Sequence, residues 1–106
     1  MADVIESFLR GLERPLILWL LSKKPSHGYG LIKELRDYMG IRVKPSMLYP
    51  FLHNLEAAGF IAGRWIKEDG RNIKYYHLTS KGENLLRDMR DFFKKILKEM
   101  ISDFIQ

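Results

Sequence analysis

One stretch of this chain reads as β-structure while nearly everything around it reads as helix: "FIAGRWIKEDGRNIKYYHLTS", residues 60–80. Two runs rich in β-branched and aromatic residues flank "DGRN", the pattern of a β-hairpin. A turn on Gly70-Arg71 pairs positions that sum to 141, setting Trp65 opposite Tyr76 and Gly63 opposite Leu78. A fold that must place one hairpin among helices is mainly α with a small β-hairpin.

The helices follow from apolar spacing. Val4, Ile5, Phe8, Leu9 and Leu12 recur at the helical period, and Pro15 begins or kinks a further helical run through Leu21. "KKPS" (23–26) is a break, with Ser26 placed to cap the helix after it. Leu31, Ile32, Leu35 and Met39 give that helix one apolar face, and Gly40 suits its end. "IRVK" (41–44) is β-branched and reads as a short strand. The third helix starts at Pro45, a residue suited to a first helical position. Its apolar face is Leu48, Phe51, Leu52, Leu55 and Ala58, and Gly59 closes it. Opposite lie Ser46, Pro50, His53, Asn54 and Ala57, with Tyr49 on the flank. After the hairpin, Ser80 with Glu83 forms a capping box for a long helix over 80–105, roughly 39 Å at ~1.5 Å per residue.

Three helices, a hairpin and a final helix are the order of a winged helix-turn-helix. In that arrangement the third helix seats its apolar back on the other two and offers small polar side chains to base edges. Lys44, Ser46, Tyr49, His53 and Asn54 on or beside it are the candidate DNA contacts, joined by Arg64, Lys67, Arg71, Asn72 and Lys74 on the wing. Trp65 is read as the wing's hydrophobic root. Taken singly, His53 and Asn54 fit an ordinary solvated helix face equally well.

Charge supports a polyanionic partner. The chain carries 18 Lys/Arg against 13 Asp/Glu, a net charge of +5. Residues 26–80 hold 8 against 5, a surplus of 3, while the segments on either side contribute 1 each. With no cysteine and no apolar run long enough for a membrane span, a cytoplasmic protein without disulfides or membrane contact is expected. His27, His53 and His77 are scattered over three elements, and no glycine loop follows a strand, so neither a catalytic site, a metal site nor a cofactor is expected.

The last helix carries doubled apolar positions, including Leu86, Met89, Phe93, Ile96, Leu97, Met100 and Phe104. That stripe is too wide for one neighbour and too long for a small core to cover. It predicts a homodimer in which these residues join Val4, Ile5 and Phe8 of the N-terminal helix. Residues 1–79 then form the DNA-binding unit and residues 80–106 the dimerisation helix. A two-fold dimer predicts a roughly palindromic double-stranded DNA operator.

"LILWLLSKKPSHGYGLIKEL" (16–35), "LYPFLHNLEAAGFI" (48–61) and "GRNIKYYHLTSKGENLL" (70–86) resemble the PadR family of transcriptional regulators. The resemblance implies a dimeric winged-helix repressor of the short form, with one C-terminal dimerisation helix. It also implies that the third helix and wing contact operator DNA and that Tyr49 touches the DNA backbone. Ser46-Met47 stands where the family usually has Gly-Thr, and Lys44 where a capping Ser is common. Some relatives respond to small aromatic or hydrophobic effectors. Phe8, Trp19, Phe92 and Phe93 are the aromatics that such a ligand would meet, although aromatics at helical spacing are usually core. The competing readings are a winged-helix protein-interaction module and a non-specific nucleoid-type DNA binder.

Overall fold

The computed structural model describes residues 2–105, with side chains described for Val4 and from Arg10 onward. The order is α1 (Ala2–Lys23), α2 (Gly28–Met39), α3 (Pro45–Ala57), β1 (Ile61–Glu68), β2 (Arg71–Leu78) and α4 (Ser80–Ile105). This is the expected mainly α architecture with one hairpin. α1 runs unbroken through Pro15, so the proline neither starts nor separates a second helix. Its missing N–H costs the ladder one bond, to the carbonyl of exposed Gly11, which faces water.

The core gathers one apolar face from each element. Ile17, Leu18 and Leu21 of α1 meet Leu31 and Leu35 of α2, Leu48, Leu52 and Leu55 of α3, and Ile61 and Leu78 at the base of the hairpin. Each fully buried side chain of this kind contributes about 1.5–3 kcal/mol. Ala58, expected on the buried face of α3, is instead its exposed C-cap.

Four local expectations are corrected. The "IRVK" segment forms no strand; Ile41 and Val43 are buried while Arg42 and Lys44 face out, so the β-branched residues anchor a loop to the core. The third backbone pairing is made by Ser26, whose N–H donates to the Tyr76 carbonyl (3.0 Å) and whose carbonyl accepts from the Tyr76 N–H (2.8 Å). Ser26 is thereby held off the cap of α2, and His27 takes it: its Nδ1 accepts from the Gly30 N–H at 3.0 Å. At α4 the cap is Thr79 rather than Ser80, its hydroxyl oxygen accepting from the Gly82 N–H at 3.2 Å. The same hydroxyl donates to the Gly59 carbonyl at 2.6 Å, a second bond that Ser80 has no partner for.

The hairpin turns on Asp69-Gly70, not Gly70-Arg71. Both turn residues have positive φ, +48° and +76°, as a two-residue type I′ turn requires, and arginine tolerates that region poorly. Paired positions therefore sum to 139: Ile61 faces Leu78, Gly63 faces Tyr76 and Trp65 faces Lys74. The shift is two residues, so every side chain stays on its expected face while its partner changes.

Candidate nucleic-acid interface

α3 begins at Lys44-Pro45 without a side-chain cap; Pro45 sets the first helical φ and gives up a donor that would be unpaired there anyway. Ser46, Pro50, His53 and Ala57 are all exposed and, at about 100° per residue, share the outward face. This surface carries neither bulk nor formal charge, as close approach to base edges requires. Pro50 has no N–H for the Ser46 carbonyl, which is left to bond outward. Asn54 is exposed on the flank turned away from the wing, and Tyr49 and Glu56 occupy the opposite flank.

Tyr49 is 48% exposed, and its ring lies against the first turn of α2. A Cβ at Gly28 would fall 2.5 Å from the ring edge and 2.8 Å from the hydroxyl oxygen. Only glycine there lets the phenol rest across the start of α2 with its hydroxyl at the protein surface.

The pleat divides the wing residues between two faces. Trp65, Lys67, Asn72 and Lys74 share the side that looks toward α3, whereas Arg64 and Arg71 share the other with Ile66, Glu68 and Tyr75. Arg64, Lys67, Arg71 and Asn72 are exposed. Tyr75 donates to Glu68 Oε1 at 2.7 Å, a bond that holds the phenol protonated and raises its pKa.

Lys74 was expected to reach phosphate, but its ammonium is engaged by Glu56 at 2.7 Å, with the second carboxylate oxygen accepting from the Gly63 N–H at 3.1 Å. The hydrogen bond from Lys74 is the largest cause of a Glu56 pKa below the ordinary carboxylate value, and the same bond raises that of Lys74. A carboxylate lowered in the folded state adds stability above its unfolded pKa and loses it as pH falls through the folded one. The pair is therefore closed at neutral pH and is lost as acid protonates Glu56, at a lower pH than an ordinary glutamate would require.

Trp65 is 66% exposed, so it is no hydrophobic root. That place belongs to Ile61 and Leu78, and Trp65 stands further out, with the Lys74 ammonium 5.8 Å from its ring centroid. Glu56 and Gly63 join the candidate site through this contact, which no local pattern assigns to them. A glycine inside a strand signals close backbone approach, and the lone acid of α3 was the other available clue.

α4 leaves the domain after its third turn. Leu86 and Met89 pack against the margin of the core, but Phe93, Ile96, Leu97, Met100 and Phe104 are exposed, Phe104 by 79%. Val4 is exposed too, while the side chains of Ile5 and Phe8 lie outside those described. The molecule accordingly measures 58 × 32 × 20 Å. No helix among the described residues is long and apolar enough to cross a membrane, and they contain no cluster of His, Cys, Asp and Glu suited to a metal ion.

Residues 17–88 match the family described as "Transcriptional regulator PadR-like family". The chain is 33% identical over 97 residues to Transcriptional regulator Rv3488 of Mycobacterium tuberculosis, covering 92% of this chain and 90% of that protein. Among solved structures it resembles a PadR family transcriptional regulator from Eggerthella lenta, with a TM-score of 0.83 at 28% identity, over 99% of this chain and 91% of the other. A PadR-like transcriptional regulator from Bacillus cereus superposes with a TM-score of 0.79 at 25% identity, over 94% and 97%.

Proposed function

Because this chain belongs to the PadR-like family of transcriptional regulators, whose members act on DNA and are not enzymes, we propose that it represses transcription as a homodimer on a two-fold-symmetric operator. The observation that carries this reading is the outward face of α3, small and uncharged, standing beside a wing with free cationic tips. Ser46, His53 and Asn54 enter the major groove, Tyr49 and Lys44 meet the backbone, and Lys67, Asn72, Arg64 and Arg71 follow the adjacent phosphates or minor groove. Residues 80–106 pair with their copy, with Val4, Ile5 and Phe8 beside them, which sets two α3 helices about one DNA turn apart. A small hydrophobic or aromatic effector would lodge where the two α4 helices meet, since Phe92 and Phe93 lie on the α4 surface. The cytoplasm is the place of action.

Protection footprinting on DNA upstream of the protein's own gene, with random DNA in excess and salt varied, tests this. A symmetric, salt-sensitive footprint is expected; uniform protection would point to non-specific packaging, and none at any salt to an operator elsewhere, sought by genomic selection, or else to a protein-interaction module. Arg71→Ala should weaken operator and random DNA alike and reduce the salt slope by about 1. Asn54→Ala should instead relax preference at one position by ~1–3 kcal/mol. Equal losses on both DNAs would remove Asn54 from the base-reading set. Gly28→Ala should leave the melting temperature nearly unchanged, because the Tyr49 ring can swing outward, yet lower affinity by displacing its hydroxyl.

A further inference from the structure

Glu56 is an anomaly on a DNA-facing surface: it is the one acidic residue between Tyr38 and Lys67, on the helix that would enter the groove. Placed beside a polyanion, a carboxylate opposes binding unless it does something else. Its two oxygens reach two different parts of the wing. Oε1 accepts from Lys74 Nζ at 2.7 Å on β2, and Oε2 accepts from the Gly63 N–H at 3.1 Å on β1. Gly63 pairs with Tyr76, whose own N–H and carbonyl are taken by Ser26 on the far edge. The Gly63 N–H therefore sits on the edge of the sheet nearest α3, and Glu56 satisfies it.

Gly63 is what admits this contact. A Cβ there would collide with the Lys74 side chain and lie 2.9 Å from Glu56 Oε2. The Lys74 ammonium is further confined between the rings of Tyr76 and Trp65, 5.2 and 5.8 Å from their centroids. An isolated surface ion pair would do little. Here one carboxylate spans both strands, and about two-thirds or more of each partner's side chain is covered.

We propose that Glu56 is a positioning residue for DNA recognition: with Gly63 and Lys74 it fixes the wing relative to α3 and keeps the Lys74 charge off phosphate, raising specificity. This rests on the DNA-binding reading above. Charge alone and clamping predict different outcomes. If Glu56 acts only as a charge, removing it strengthens operator and random DNA by the same factor. If it is a clamp, release frees Lys74 for phosphate and lets the wing drift, so random DNA gains while the operator advantage shrinks.

The test is competitive titration of operator against random DNA for the full-length wild type, Glu56→Gln, Lys74→Met and Gly63→Ala. In Glu56→Gln the ratio of operator to random affinity should fall about tenfold, the discrimination of roughly one base pair. Its salt slope on random DNA should steepen by about 0.9, one added phosphate contact. Lys74→Met should lose the same ratio without the gain on random DNA, because no cation is released. The glutamine can still accept from Gly63, so the variant is expected to fold; if Gly63→Ala does not, the other two suffice. An unchanged ratio in both Glu56→Gln and Lys74→Met overturns the clamp. A wild type that binds operator and random DNA equally overturns the operator-recognition reading itself, and with it the premise of the clamp.

Discussion

If the chain forms the homodimer proposed above, Leu97→Glu is expected to abolish self-association while leaving the winged domain folded. Leu97 sits in the outer half of α4, 53% exposed in the single chain, so glutamate there meets water and costs the monomer almost nothing. In a two-fold dimer built on the stripe from Phe93 to Phe104 the same carboxylate is buried twice, near its own symmetry mate. An uncompensated buried charge costs about 3–5 kcal/mol. With two such carboxylates per dimer, the dissociation constant should rise by roughly four to seven orders of magnitude, at ~1.4 kcal/mol per tenfold. Sedimentation velocity should report a monomer whose circular dichroism still shows a long helix. Footprinting should shrink to weak half-site protection, because two α3 helices no longer bind as one unit. A dimer of undiminished strength would show that the α4 stripe is not the interface.

Gly82→Ala should be the most destabilising small change in the chain. Gly82 is the one buried residue of α4, in its first turn. A Cβ would collide with the Phe60 carbonyl oxygen and touch Leu78 Cδ2 at 3.0 Å. The carbonyl cannot step aside. It accepts from the Thr79 N–H at 3.1 Å, and the flanking backbone is bound by Thr79 to the Gly59 carbonyl and by Lys81 Nζ to the Ala58 carbonyl, each at 2.6 Å. Overpacking against a fixed backbone costs about 1–3 kcal/mol or more. A melting temperature lower by on the order of 10 °C is expected for a domain of this size. Gly11→Ala is the matched control. Nothing lies within 4 Å of a Cβ there, so the same exchange in an exposed helix interior should stabilise by up to ~1 kcal/mol. If both variants melt alike, the Phe60 contact does not constrain α4.

The elements that were legible in the sequence are those whose signals are local. Pro45 opened α3 as its fixed φ requires, Gly40 and Gly59 took positive φ at helix ends, and α4 ran over 80–105 as its apolar spacing indicated. Strand faces were also legible, because parity alone assigns them, even with the turn misplaced by one residue. The candidate α3 face was readable for the same reason: apolar spacing names the back of a helix and so its front.

Wherever two residues offered the same local chemistry, a distant partner chose between them. Ser26 and His27 can each cap α2; Tyr76, fifty residues on, claims the Ser26 backbone and leaves the cap to His27. Thr79 prevailed over Ser80 because the Gly59 carbonyl lies within its reach. Lys74 looked like any wing cation until α3 set Glu56 against it, and Trp65 looked like core until Ile61 and Leu78 filled the root. The sequence by itself determined which residues turn inward along each helix and strand, since that is a matter of period and backbone stereochemistry. Only the tertiary structure decided which polar groups bond within the chain, as Lys74 does with Glu56, since a hydrogen bond belongs to whichever partner the packing of the core brings within about 3 Å.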